Sequence, residues 1–135
     1  MDRGECYKRF GQLGWGDDSQ SLSVFNFLMH AREQVPPGSV LLDLGAGECR
    51  YQFFFEHCHY LSVDFAKGDS QWDYSKLNLV GNITDLAFIS DASVDFCLNT
   101  TTLEHLSEPS IFFAGVHRIL RPGGKALSSR TVCVP

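Results

Sequence analysis

The sequence predicts an α/β domain, a mostly parallel sheet with helices on both faces. Three observations carry this. Short apolar runs of buried-strand character, "SVLLDL" and "SVDFCLNT", recur along the chain and alternate with segments of helical periodicity. A glycine turn, Gly45-Ala46-Gly47, follows the first run at once. The helix-like segment "SEPSIFFAGVHRIL" stops at Arg121-Pro122-Gly123-Gly124 and gives way to a further strand-like run, "KALSSRTVCV". Strands alternating with helices pair in parallel, and right-handed crossovers distribute the helices over both faces.

The elements follow in order. Residues 1–18 are punctuated by glycine ("GQLGWGDD") and hold Tyr7, Phe10 and Trp15 as isolated anchors, which predicts an extended arm or short turns. "SQSLSVFNFLMHAREQV" spaces Leu22, Phe25, Leu28 and Met29 for one helix face, with Asp17, Asp18 or Ser19 as cap and Pro36-Pro37-Gly38 as stop. "SVLLDL" is the first strand. "CRYQFFFEHC" sets Tyr51, Phe54 and Phe55 for a helix face, "HYLSVDF" is a strand ending in Asp64, and "SKLNLVGN" holds a short strand around Leu77 to Val80. "SVDFCLNT" is a strand with Asp95 at its entrance. The next helix takes Ser107 as cap and Pro109 in its first turn, and places Ile111, Phe112, Val116, Ile119 and Leu120 on one face.

Composition narrows the function. A chain of 135 residues that is 44 % hydrophobic has the apolar mass for one real core. A net charge of −5, with the signs interspersed, argues against capture of nucleic acid or of an anionic membrane surface. No apolar run approaches the roughly 20 residues that span a bilayer, and "MDRGECYKRF" lacks the apolar centre of a signal peptide, so a cytoplasmic location is expected. The five cysteines are scattered without a C-x-x-C pair, which predicts reduced thiols and no zinc site. The cluster "EHCHY" does not point its side chains at one ion, and no metal is expected.

In a sheet of this kind the ligand sits at the carboxyl ends of the strands, where Asp43, Gly45, Gly47 and Asp64 all fall. The glycines alone are equally consistent with a plain tight turn. The carboxylate 21 positions after Asp43, closing the next strand, is placed to accept both hydroxyls of an adenosine ribose; the plainer alternative is a cap on the following loop. A dinucleotide fingerprint wants a third glycine at position 50, where the chain has Arg50, and a pyrophosphate beside Asp43 would bring like charges together. A ligand carrying an ammonium and a sulfonium gains from that carboxylate instead. S-adenosyl-L-methionine fits, with its carboxylate on N–H groups of the glycine loop and its ribose at Asp64.

The chain resembles the class I S-adenosylmethionine-dependent methyltransferases, in particular the type 11-like branch, through "LDLGAGECR", "LSVDF", "DLAFISDASVDFCLNTTTLEHL" and "ILRPGGKAL", over about residues 39–127. The resemblance implies a Rossmann-like, doubly wound sheet of order 3-2-1-4-5 with an N-terminal helix. It implies that Asp43, Gly45, Ala46 and Gly47 line the methionine end and that Asp64 binds the ribose. Phe65 would pack on the adenine, Asn82 and the backbone of Ile83 would read the adenine edge, and Asn99, just past the fourth strand, would border the methionine. Three departures stand out: Cys49 replaces a third glycine, Asn82 replaces an aspartate, and the last two strands of the family's sheet are not in the sequence, which makes the fold C-terminally shortened and leaves an exposed edge through which a homo-oligomer would form.

Methyl transfer from a sulfonium asks mainly for positioning, with a general base only where the acceptor is protonated. Glu104 and His105 in "TTTLEHL" are the candidates, or else they only order that segment, so no catalytic residue is assigned; His30, His57, His59 and His117 read as surface or packing residues. The domain reading is an arm and helix over 1–36, serving as a lid or packed on the sheet through Trp15 and Phe25, and a cofactor-binding core over 37–135. The expected activity is transfer of a methyl group to a small molecule. The alternatives are a cofactor-binding partner with little turnover, and a dinucleotide-dependent oxidoreductase, which Arg50 and Asp43 disfavour.

Overall fold

The computed structural model describes residues 1–68, 70–100 and 106–129. Its sheet has five strands, β1 (Val40–Leu44), β2 (His59–Asp64), β3 (Leu79–Val80), β4 (Val94–Thr100) and β5 (Leu120–Ser129), in the order β3-β2-β1-β4-β5. Every pairing is parallel. Three α-helices, α1 (Arg3–Gly11), α2 (Ser19–Gln34) and α3 (Pro109–Ile119), and one 3₁₀ turn, Gln52–Phe55, complete the described elements.

The two faces of the sheet are separate apolar clusters, because successive strand residues point to opposite sides. On one face Leu41, Phe96 and Leu98 pack with Cys6 and Phe10 of α1, with Val24, Phe25, Leu28 and Met29 of α2, and with Phe54 and Phe55. On the other, Leu42, Leu44, Val63 and Cys97 meet Ile83, Leu86 and Ile89 and the α3 residues Phe112, Val116 and Ile119. The doubly wound architecture expected from the strand and helix alternation is therefore present.

Local chemistry explains the boundaries. The Asp18 carboxylate accepts from the Ser21 N–H and hydroxyl, both at 2.9 Å, and so caps α2. Asp95, the second residue of β4, accepts from the Val40 N–H at 2.8 Å and from Arg121 at 3.0 Å, fastening the start of β1 to β4 and β5.

Several expectations are corrected. The glycine-rich N-terminus is not an extended arm: Asp2 accepts from the Glu5 N–H, and α1 forms because Cys6 and Phe10, one turn apart, bury against α2 and the sheet. The aromatic run after the glycine loop winds as a single 3₁₀ turn. Leu22 and Ile111, assigned to buried faces, are exposed. The residue capping α3 is Glu108, not Ser107, and it makes no side-chain cap bond; Pro109 opens the helix as expected. Pairing to β4 begins at Leu120 and resumes at Lys125, so the Pro-Gly-Gly segment lies within the span of β5 at an irregularity in register. Glu104, His105 and the end of the last strand lie outside the described residues.

Candidate functional site

The loop after β1 is set by its backbone. Gly45 (φ 82°) and Gly47 (φ 57°) take the left-handed conformation open to glycine. Cys49, where the resemblance leads one to expect a glycine, takes a left-handed φ of 59° as well. The N–H groups of Gly45 and Ala46 donate to the Val63 carbonyl at 2.9 and 3.1 Å, and that of Gly47 donates to Asp64 Oδ2 at 2.9 Å. The loop therefore leans on the end of β2. Its donors turn inward rather than out to a ligand carboxylate, contrary to the expectation for this end of the site.

Asp43 lies beneath the loop with 3 % of its surface exposed. It shares a face of the sheet with Tyr60, since Asp43 pairs with Ser62 and Tyr60 stands two residues earlier on the same side of β2. The Tyr60 hydroxyl donates to Asp43 Oδ2 at 2.5 Å. Burial pushes the Asp43 carboxyl up to about 7, the charge of Asp64 adds to this, and the Tyr60 hydrogen bond opposes it. Burial first, and then Asp43, push the Tyr60 phenol up, so Tyr60 stays a donor. Burial, above all, raises the Cys49 thiol, which disfavours its thiolate.

Asn99 is an interior residue of β4 rather than one just past it, and it is 2 % exposed. Its Nδ2 donates to the Leu44 carbonyl at 2.9 Å, next to the glycine loop. Its Oδ1 has no hydrogen-bond partner among the described residues. A buried acceptor without a donor costs about 1–3 kcal/mol, so the position is one that an incoming donor would relieve.

Asp64 closes β2, as expected. Its Oδ1 accepts from the Ala66 N–H at 2.9 Å and its Oδ2 from Gly47, so it does cap the loop. Each carboxylate oxygen retains a second lone pair, and a half-buried side chain keeps them within reach of a diol. Phe65 beside it is 51 % exposed and carries the Lys67 ammonium 5.0 Å from its ring centre. The Asn82 Oδ1 accepts from the Thr84 N–H at 3.0 Å and its hydroxyl at 2.7 Å, a local turn that already engages the carbonyl meant for an adenine amino group. Ile83 is buried against α3.

The site thus gathers Asp43, Gly45, Ala46, Gly47, Asp64 and Asn99 around the carboxyl ends of β1, β2 and β4, with Phe65, Asn82 and Ile83 beyond β2 and β3. Two residues went unnoticed in the sequence. Tyr60 was legible in principle from the β1–β2 register. Trp72, whose ring borders the open side of Gly47, stands in a stretch without periodicity and gave no signal.

Comparison with known proteins agrees with the fold. The family model described as "Methyltransferase domain" matches residues 42–128. A protein of Mycobacterium sp. (strain JLS), named "uncharacterized methyltransferase", is 30 % identical over 123 residues, covering 85 % of this chain and 48 % of its own length. The chain spans about half the length of the curated relatives it matches. In fold it is similar to a SAM-dependent methyltransferase from Aquifex aeolicus (TM-score 0.58, 21 % identity, 90 % of this chain and 69 % of that one). A second, from Archaeoglobus fulgidus, gives a TM-score of 0.61 at 16 % identity over 76 % of this chain and 49 % of that one. With the model match covering well over half of its residues, the chain belongs to the methyltransferase domain family.

Proposed function

We propose that the chain binds S-adenosyl-L-methionine and transfers its methyl group to a small-molecule acceptor. The observation that carries the reading is the Asn99 Oδ1, a buried acceptor beside the glycine loop that has no donor among the described residues. An ammonium group supplies that donor. Asp43, a buried carboxylate held near neutrality, gains from the same positive charge. A pyrophosphate brings no donor and adds negative charge against Asp43, which disfavours a dinucleotide.

When bound, the sulfonium supplies an activated methyl group with a neutral leaving group. The chain's own residues position it: Asp43 and Asn99 hold the amino acid end, Asp64 accepts from the ribose hydroxyls, and Phe65 offers its exposed ring to the base. Fixing one reactant in line with the other supplies much of the rate in such a displacement. The free thiols of Cys6, Cys49, Cys58 and Cys97 fit a reducing compartment, and the cytoplasm is the proposed location.

Thermal-shift titration with S-adenosylmethionine, S-adenosylhomocysteine and NAD tests the assignment. Stabilisation by the first two is expected, and stabilisation by NAD alone rejects it.

A further inference from the structure

Trp72 stands between β2 and β3, outside every motif that carries the family resemblance. A methyl group built on Gly47 would stand 3.4 Å from its Cζ3 and 3.6 Å from its Cε3, ordinary contact distances, so the edge of the indole borders the open side of Gly47. The same ring edge lies 3.8–3.9 Å from the corresponding point at Gly68, and Tyr74 flanks it with ring centres 6.2 Å apart. Yet Trp72 is 46 % exposed. A large aromatic ring this open, standing a methyl group's width from a glycine loop, is a wall with one free face.

What stands beside that wall is decisive. The peptide nitrogen of Gly47 donates to Asp64 Oδ2, so the indole stands beside the same residue that touches the diol-accepting carboxylate. A ribose whose hydroxyls reach Asp64 must enter next to Gly47, and therefore along the indole. Ribose offers aliphatic C–H groups on the face turned away from its hydroxyls, and these pack against an aromatic surface.

We infer that Trp72 is a binding residue of the cofactor site, the outer wall against which the ribose of the bound cofactor packs while its hydroxyls donate to Asp64. This rests on the cofactor assignment made above. It differs from a plug, which the ligand would have to displace: a wall adds affinity and a plug subtracts it.

The experiment uses S-adenosylhomocysteine as the probe. The chain has two tryptophans, Trp15 and Trp72, so the emission change on titration of the wild type is compared with that of Trp72→Phe, and calorimetry gives affinities for wild type, Trp72→Phe and Trp72→Ala. The expected result is an emission change in the wild type that is lost in Trp72→Phe, affinity within threefold for phenylalanine, and affinity at least tenfold weaker for alanine with an unchanged melting temperature of the free protein. In a double-mutant cycle Asp64→Ala and Trp72→Ala should be non-additive, because both grip one sugar. A wild type that binds in calorimetry while Trp72→Ala binds as well or better, or while the emission stays constant at saturation, overturns this inference alone. A wild type that takes up no S-adenosylhomocysteine overturns the cofactor assignment and this inference with it.

Discussion

Replacing Asp43 by asparagine separates what the site costs from what it gives. The carboxyl is held at about 7 against an ordinary 3.8, a gap of about 3 pH units, which at about 1.4 kcal/mol each withholds roughly 4 kcal/mol from the charged form. The folded pKa is the higher one, so between about pH 4 and pH 7 the native state binds more protons than the unfolded chain. Stability is then greatest below that window and falls as pH rises through it. Asparagine is close in shape, stays neutral and keeps an oxygen for the Tyr60 hydroxyl, but its NH₂ needs a partner that costs about 1–3 kcal/mol if missing. The net gain at pH 8 should be about 1–3 kcal/mol, or a melting temperature about 5 °C higher for a chain of this size, and it should vanish by pH 4 to 5. The same substitution should weaken cofactor binding tenfold or more. In the wild type, binding of a cation at Asp43 should tighten about tenfold from pH 6 to pH 8, as the ionised fraction rises beside Tyr60, Cys49 and Asp64. Scanning fluorimetry and calorimetry across this range provide the test. A melting-temperature difference that does not change with pH, or an asparagine variant that binds as well as wild type, refutes the reasoning.

Asp64→Ala removes the acceptor of the Gly47 and Ala66 N–H groups, so it should lower stability by about 1–2 kcal/mol in urea unfolding and weaken cofactor binding by roughly 30-fold in calorimetry, since the proposed diol contacts are charge-assisted. Gly124→Ala places a methyl 2.8 Å from the Asp95 carbonyl oxygen and 2.9 Å from that of Arg121, backbone atoms that cannot rotate away, and the urea midpoint should fall by the equivalent of about 1–3 kcal/mol. The Val40 N–H, and then Arg121, hold the Asp95 carboxyl below its usual range, so its contribution is present above about pH 4 and lost as pH falls through the depressed value; Asp95→Ala should lower the melting temperature at pH 7 and flatten the acid limb of the stability profile.

The sheet was legible because its information is local. "SVLLDL" and "SVDFCLNT" are apolar on both sides, as strands covered on two faces must be, and their residues do divide between the two clusters. The failures were those in which tertiary contact outweighs local preference. Glycine costs about 1 kcal/mol in a helix, so Gly4 and Gly11 argued against α1; burial of Cys6 and Phe10 at about 1.5–3 kcal/mol for a large side chain outweighs that cost. The 3₁₀ turn escaped for a similar reason. Phe54 and Phe55 are adjacent and both fully buried, facing α2 and the sheet from a tight turn that a longer amphipathic helix could not supply.

The site divides along the same line. Asp43, the glycines and Asp64 announce themselves because each is a local anomaly, a charge in a buried strand or a turn that needs positive φ. Their partners are not anomalies. Tyr60 is an ordinary strand tyrosine until parallel pairing sets it on Asp43's face, and Asn99 is an ordinary polar residue until burial leaves one of its oxygens without a donor. Trp72 becomes informative only through the glycine it stands beside. Tyr60 opposes the effect of burial on the Asp43 carboxyl, and in the binding mode proposed above Asn99 offers an acceptor to a cation and Trp72 bounds the path to Asp64. Side chains of this kind change the affinity and pH dependence of a site without changing its fold, so chains that share the glycine loop and the acidic strand end should differ in both wherever their equivalents of Tyr60 and Trp72 differ.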